Sequence, residues 1–269
     1  MTTTRSAEYV MGRTPEEYER LRRQAAVWAP ATTRLLDAAA PRPGARCLDV
    51  GCGTGAVMEL LAARVGPSGQ VTGLDLDTEL GRDAAARSGG RFVRADVESD
   101  DDAVPAGGFD LVHGRMILLH VKDPAAVLRR MWRWVAPGGT LMVQELDMRY
   151  VDSDPRLGVL DEWRRVFLGT YAAVGGDVRL GTRLPALLAE AGIGAPDTTD
   201  VAGRLGTMAD SAGMLAATYR SIAPAAIAHG LLTPDRRDAW LSEIDAATRT
   251  HPSVTAVWPL LIGALKRNR

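Results

Sequence analysis

The sequence predicts an α/β protein built on a mostly parallel sheet with helices on both faces. Three observations carry this. Short apolar strands and amphipathic helices alternate from Arg46 to Leu146, a rhythm that folds as right-handed βαβ units. The stretch "CLDVGCGTGAVMEL" (Cys47 to Leu60) reads as a strand, a glycine turn and a helix. The chain has 269 residues, 46% of them apolar and 24% charged, enough to bury the core of one large domain or of one domain with a small appendage.

The elements follow in order. Pro15 to Ala40 has helical character. Thr14 is placed to cap it, Pro15 occupies its first turn, and Glu16 and Glu17 sit near its positive end. A second helix is expected at "ATTRLLDAA", stopped by "PRPG" at 41–44. "RCLDVG" reads as a buried strand and "GAVMELLAARV" as a helix with Val57, Leu60, Leu61 and Val65 on one face. "QVTGLDL" and "TELGRDAAARS" repeat the pair. "RFVRADV" and "FDLVHGR" are the third and fourth strands, and "DPAAVLRRMWRWV" is a helix capped by Asp123 with Pro124 at its first position. "PGG" at 137–139 turns the chain into a fifth strand, "TLMVQEL".

After Leu146 the rhythm breaks. Residues 155–175 and "RLPALLAEAGI" read as helices, the latter stopped by Gly192. "DTTDVAGRLG" is a sixth strand. Residues 208–249 are helical, split at Pro224 and at "GLLTPD". "SVTAVWPLLIGAL" is a final strand, where Pro259 predicts an edge or a bulge. The organisation expected is a helical cap (1–40), a core (41–147, resumed at 179–206 and closed by 253–269), and a helical lid from the insertions 148–178 and 207–252.

Composition excludes several functions. A net charge of −1 without a basic stripe argues against nucleic acid. Lysine occurs only at Lys122 and Lys266, against many arginines. The two cysteines, Cys47 and Cys52, have no second pair to complete a zinc site, and none of the four histidines forms an H-x-x-x-H pair, so no metal is expected. No apolar run approaches a membrane span, and no basic-then-apolar leader opens the chain. A cytoplasmic, reduced protein is expected.

The glycine turn poses the question of its ligand. Gly51, Gly53 and Gly55 let a ligand approach bare backbone, and the following helix aims its N–H groups at it. Gly51, Gly53 and Ala56 formally satisfy the dinucleotide pattern G-x-G-x-x-A. Three acids argue against NAD. Asp49, just ahead of the glycines, would repel a pyrophosphate and attract an ammonium or sulfonium. Asp75 ends the second strand, where an acid can take both ribose hydroxyls. Asp96 ends the third, where its carboxylate and the Val97 backbone can bond an adenine.

With "LDVGCGTG", "GLDLD", "RADV", "FDLVHGR" and "VAPGGTLMVQE" in this order and spacing, the chain resembles the class I S-adenosylmethionine-dependent methyltransferases. Its nearest likeness is to the branch of ubiquinone/menaquinone-type and bacterial natural-product enzymes. The resemblance covers residues 45–147, with a weaker match ahead of them. It implies a Rossmann-like, seven-stranded, mostly parallel sheet with an antiparallel last strand. It also implies S-adenosylmethionine as cofactor. Gly51 and Gly53 would then line its methionine part, together with Cys52, the small residue between them, and Gly55. Asp75 and Leu76 would hold the ribose, and Ala95, Asp96 and Val97 the adenine. Asp49, His113, Gly114 and Arg115 would stand beside the methionine end, and Gln24 on the N-terminal helix would close over the cofactor.

Methyl transfer is an in-line displacement whose main demands are alignment and exclusion of water. A base is needed only where the acceptor must lose a proton. His113, at the end of strand four, is the first choice for such a group. Glu145 and Asp147 follow strand five, and Tyr9 or Tyr18 on the N-terminal segment could line the pocket. His120 reads as structural. Trp163, Phe167 and Tyr171 recur at a spacing of four, as lid core or as the wall of an apolar acceptor pocket. The expected function is methylation of an O, N or C atom of a small, fairly apolar molecule in bacterial secondary metabolism. The expected partners are that acceptor and a second copy in a homodimer, with neither nucleic acid nor membrane. Two alternatives stay open: a protein that binds the cofactor and catalyses cyclisation or rearrangement, and an NAD-dependent dehydrogenase.

Overall fold

The computed structural model describes Met11, Gly12 and residues 14–269. Helix α1 (Pro15–Ala39) starts where expected, with Glu17 N donating to Thr14 Oγ1 at 3.2 Å. The alternation then runs β1 (Arg46–Val50), α2 (Ala56–Val65), β2 (Gln70–Asp75), α3 (Thr78–Ser88), β3 (Arg91–Arg94), β4 (Phe109–Arg115), α4 (Pro124–Trp134) and β5 (Val135–Asp147). Asp77 caps α3 and Asp123 caps α4. Beyond lie β6 (Asp152–Asp154), α5 (Gly158–Ala173), α6 (Leu180–Glu190), β7 (Thr198–Ala202), β8 (Leu205–Thr207), α7 (Met208–Ala228), α8 (Pro234–Thr250), β9 (Thr255–Val257) and β10 (Leu260–Arg267).

Seven strands form one sheet in the order β3-β2-β1-β4-β5-β10-β7. β1 to β5 pair in parallel, and β10, last in the chain, runs antiparallel to both β5 and β7. The expected sheet is therefore present, with its one reversed strand where the resemblance places it. One face is covered by α1, α2 and α3 through Leu35, Leu36, Met58, Leu61 and Ala84. The other is covered by α4 and α6 through Leu128, Met131, Trp134, Leu184 and Leu188. A third apolar cluster joins α5, α7 and α8 around Val166, Phe167, Tyr219, Trp240 and Ile244, with Trp28 of α1 among them.

The structure corrects four expectations. α1 is one helix that continues through Pro30. The proline costs a hydrogen bond, but Trp28, Ala31, Leu35 and Leu36 all bury on the same side, and that packing holds the axis through it. Pro224 likewise sits inside an unbroken α7, flanked by buried Tyr219, Ile222, Ala223 and Ala226. Pro137, Gly138 and Gly139, expected as a turn ahead of the fifth strand, fall inside β5, whose pairing with β4 shifts register between Phe109 and Leu111. Pro259 separates β9 from β10, and β10 lies inside the sheet, where β7 is the edge. A second sheet, β6-β9-β8, adds to the expected fold. It ties the segments before α5 and before α7 to the run entering β10.

Candidate active site

The carboxyl ends of β1 to β4 and the inner faces of α1, α5 and α7 enclose a cavity of about 300 Å³. This is the place where ligands bind in open parallel sheets. The β1–α2 loop forms its floor. Gly51 (φ 68°) and Gly53 (φ 48°) hold left-handed backbone that favours glycine. Gly51 N and Cys52 N donate to Leu74 O at 2.7 and 3.1 Å, which pins the loop to β2. A Cβ at Gly51 would meet Ile117 Cδ1 at 2.7 Å, whereas one at Gly53 would meet nothing nearer than Gly51 O at 4.0 Å. The space above Gly53 is thus open to a ligand.

Asp75 ends β2 in the cavity wall. Its Oδ2 accepts Gly53 N at 2.8 Å and its Oδ1 accepts Asp77 N at 2.9 Å. Burial pushes its pKa up, against the pull of those backbone N–H groups and with a small push from Asp77. Leu76, Ala95, Asp96 and Val97 continue the wall. Asp96 Oδ1 accepts Glu98 N at 2.8 Å, which fixes the loop after β3. On the opposite side α1 contributes Tyr18, Arg20, Gln24 and Trp28. Tyr18 Oη donates to Asp77 Oδ2 at 2.8 Å, Arg20 is paired with Glu17 at 2.6 Å, and Gln24 Nε2 lies 2.7 Å from Met116 Sδ.

Arg115 ends β4 and enters the cavity wall, where Nη1 donates to Thr32 Oγ1 at 3.0 Å. Burial lowers its pKa to about 10 against the pull of nearby Asp49, so it keeps its charge at neutral pH. The chain then turns through Met116 at φ 57°, a left-handed conformation unusual for a side chain of this size. That turn brings Met116, Ile117, Leu119 and His120 into the wall. Burial pushes the pKa of His120 down to about 4, and the Arg20 charge adds to the effect. His120 is therefore a neutral imidazole near pH 7.

Beyond His120 the cavity becomes apolar. Trp163, Phe167 and Tyr171 line it from α5. The Trp163 and Phe167 rings stack with centroids 4.9 Å apart and planes 9° apart, and Tyr171 lies 4.9 Å further along. The Tyr171 and His120 rings are 6.3 Å apart. Met214 and Leu215 of α7, with Trp258 between β9 and β10, close the far side. The aromatic stripe is both lid core and pocket wall.

Of the residues singled out from sequence, Gln24, Gly51, Cys52, Gly53, Asp75, Leu76, Ala95, Asp96, Val97 and Arg115 meet around this cavity. Tyr9 lies outside the described residues. Six others stand behind the wall. Asp49 and His113 face each other across β1 and β4, buried, with Oδ1 and Nδ1 2.7 Å apart. His113 and Arg115, two residues apart, share a face of β4, but Arg115 is the strand's last residue and reaches the cavity, whereas Asp49 and His113 lie deeper in the sheet. Gly114 packs on Met131 and Ile117, where a Cβ would come within 2.9 Å of Met131 Cε. Gly55 serves helix packing, since a Cβ there would come within 2.4 Å of Ala84 Cβ. Glu145 is fully buried, with Oε1 accepting Leu118 N at 2.7 Å. Asp147 is held by Arg149 Nη2 at 2.6 Å and Thr182 Oγ1 at 2.7 Å. Burial raises its pKa, but the Arg149 and Thr182 hydrogen bonds and the Arg149 charge outweigh this and hold it low. Sequence reasoning read His120 as structural and passed over Met116, and both line the cavity. The only signal for either was position, a few residues past a strand end.

Comparison with known proteins fits this geometry. The chain matches a methyltransferase domain family over residues 18–174. Nocamycin O-methyltransferase of Saccharothrix syringae is 42% identical over 117 residues, 42% of this chain and 41% of that protein. Ubiquinone biosynthesis O-methyltransferase of Xanthomonas campestris is 43% identical over 109 residues, 39% of this chain and 44% of that protein. The chain thus spans less than half the length of these curated relatives. A solved structure from Bacillus halodurans C-125 shares the fold, with a TM-score of 0.58 at 17% identity over 87% of this chain and 97% of that one. With more than half of its residues inside the matched family, this chain belongs to the methyltransferase domain family.

Proposed function

We propose that the protein transfers a methyl group from S-adenosylmethionine to an oxygen of a small, fairly apolar molecule. The observation that carries the reading is the cavity's division into two halves. One is a polar cradle of glycine backbone and strand-end acids, the other an aromatic chamber, and His120 lines the same cavity with Arg20 on one side and Tyr171 6.3 Å away. The donor set suits the cofactor. Asp75 has two carboxylate oxygens for vicinal hydroxyls, and the Ala95–Val97 segment offers backbone and an acid to an adenine. Arg115 supplies a guanidinium for a carboxylate. The backbone at Gly53 leaves room beside it.

S-adenosylmethionine, when bound, supplies a methyl group on a sulfonium that is its own leaving group. The chain supplies the rest. α1 and the lid helices exclude water. The stacked face of α5 orients a flat apolar body. Neutral His120 accepts a hydrogen bond from the acceptor hydroxyl and takes its proton as the oxygen becomes a nucleophile. The relatives named O-methyltransferases support oxygen as the atom methylated.

Thermal unfolding with S-adenosylhomocysteine or NAD present tests the cofactor. A ligand at 100 times its Kd adds about 2.7 kcal/mol. S-adenosylhomocysteine is expected to raise the midpoint and NAD to leave it unchanged; a shift with NAD alone sinks the reading. Turnover with a converted acceptor tests the chemistry. One S-adenosylhomocysteine should form per product, and product formed with the cofactor intact would favour a cyclase.

A further inference from the structure

Glu145 is buried at 0% exposure, and one of its oxygens, Oε2, has no hydrogen-bond partner. A buried carboxyl with an idle oxygen is a poor stabilising device, so its contacts call for another explanation. Oε1 accepts the N–H of Leu118 at 2.7 Å. This N–H opens the one-turn 3₁₀ helix Leu118–His120. The opening N–H groups of any helical turn lack partners within it. The turn closes on itself only later, through His120 N to Ile117 O at 3.0 Å. Leu118 is fully buried, whereas Ile117, Leu119 and His120 on either side line the cavity. Glu145 therefore grips the turn from the core side, at the point where the chain leaves the left-handed Met116.

We propose that Glu145 is a positioning residue. It anchors the N–H of Leu118, and so sets the imidazole of His120, two residues on in the same turn, in the cavity wall. Its consequence for turnover rests on the reading of His120 as the proton acceptor; the positioning itself does not. Burial pushes the Glu145 pKa up to about 8 against the pull of the nearby Leu118 and Ile117 backbone, so near pH 7 it acts mainly as a neutral carbonyl acceptor. An amide can replace it in that role and an alkyl group cannot.

The test reads His120 directly in the whole chain. Its imidazole resonance is assigned by its loss in His120→Asn and followed through a pH titration with S-adenosylhomocysteine bound. Arg20 from α1 and Tyr171 from α5 face His120 and are kept in every variant. Glu145→Gln is expected to leave the His120 pKa near its wild-type value of about 4. Glu145→Leu is expected to release the turn and raise that pKa by one unit or more, toward the ordinary 6.5. Folding is checked by the thermal shift with S-adenosylhomocysteine. If Glu145→Leu does not fold, Glu145→Asp, one methylene too short to reach the turn, takes its place with the same expectation. An unchanged His120 titration in a folded Leu or Asp variant overturns the proposal. In a turnover assay, Glu145→Leu should lower kcat tenfold or more with little change in KM for the cofactor. It should add no further loss on top of His120→Ala. If His120→Ala turns over normally while Glu145→Leu still moves the His120 titration, the base assignment fails and the positioning stands.

Discussion

Asp75 shows how one side chain serves both fold and ligand. Its two oxygens hold Gly53 and Asp77 in the cavity floor and still border open space. Asp75→Ala is expected to abolish the stabilisation by S-adenosylhomocysteine in a thermal-shift assay, whereas Asp75→Asn should retain a part of it; a full shift in the Ala variant would remove Asp75 from the cofactor site. Glu145 carries a second prediction. Its folded pKa of about 8 lies above the ordinary 4.5, so between these values the native state holds a proton that the unfolded chain has lost, and stability falls as pH rises. The loss is on the order of a few kcal/mol when integrated over that window. Glu145→Gln removes it, and denaturant unfolding at pH 5 and pH 8 should show a smaller decline for the variant than for the wild type. His120 works in the opposite window, since the unfolded chain binds its proton first as pH falls below 6.5. Which titratable residues reach the cavity was only partly legible. The strand-end acids Asp75 and Asp96 were readable because a strand's end fixes their place. His113 was misplaced because it stands two residues short of the end of β4, on the face of Arg115 but deeper in the sheet, and His120 was read as structural although the left-handed turn at Met116 brings it into the cavity wall.

Among elements, the third glycine of the loop illustrates how a motif divides its work. Gly51 and Gly53 border the ligand space, whereas Gly55 lets α2 approach α3. Gly55→Ala would force a methyl within 2.4 Å of Ala84 Cβ and 2.8 Å of its Cα, on a backbone at φ 76°. Overpacking against backbone costs about 1–3 kcal/mol, and the left-handed backbone adds to it. The variant should lose that much in denaturant unfolding, while the folded fraction binds S-adenosylhomocysteine with wild-type affinity. Weakened affinity at full folding would return Gly55 to the ligand's side. The prolines taught the reverse lesson. Pro30 and Pro224 are breakers by local preference, yet both sit in continuous helices because the apolar faces around them are buried. That β8 and β9 split from the strands expected at 197–206 and 253–265 and join β6 in a second sheet escaped notice for a third reason. Each has three residues, too few to show a period of two, and their pairing depends on segments about 100 residues apart in β6 and β9.

Across the whole molecule, α1 is the member that connects cradle and lid. Tyr18 Oη donates to Asp77 Oδ2 at 2.8 Å beside the β2 end, and Ser221 Oγ of α7 donates to Glu17 Oε2 at 2.6 Å one residue earlier on the same helix. Gln24, two turns on, touches Met116, and the Arg20 charge lies near His120. A ligand filling the polar half therefore touches α1, and α1 touches α7. Binding that orders one face of α1 lowers the cost of ordering the other, so the two halves of the cavity should be energetically coupled. Hydrogen exchange can read this. S-adenosylhomocysteine should slow exchange in α7 as well as in α1 and the β1–α2 loop, although α7 presents its residues chiefly to the apolar half. Ser221→Ala cuts the link without touching the cradle. It should keep the protection of the loop and α1, and lose most of the added protection in α7. Equal protection of α7 in the variant would show that the lid closes on its own apolar contacts, with no signal carried through Glu17.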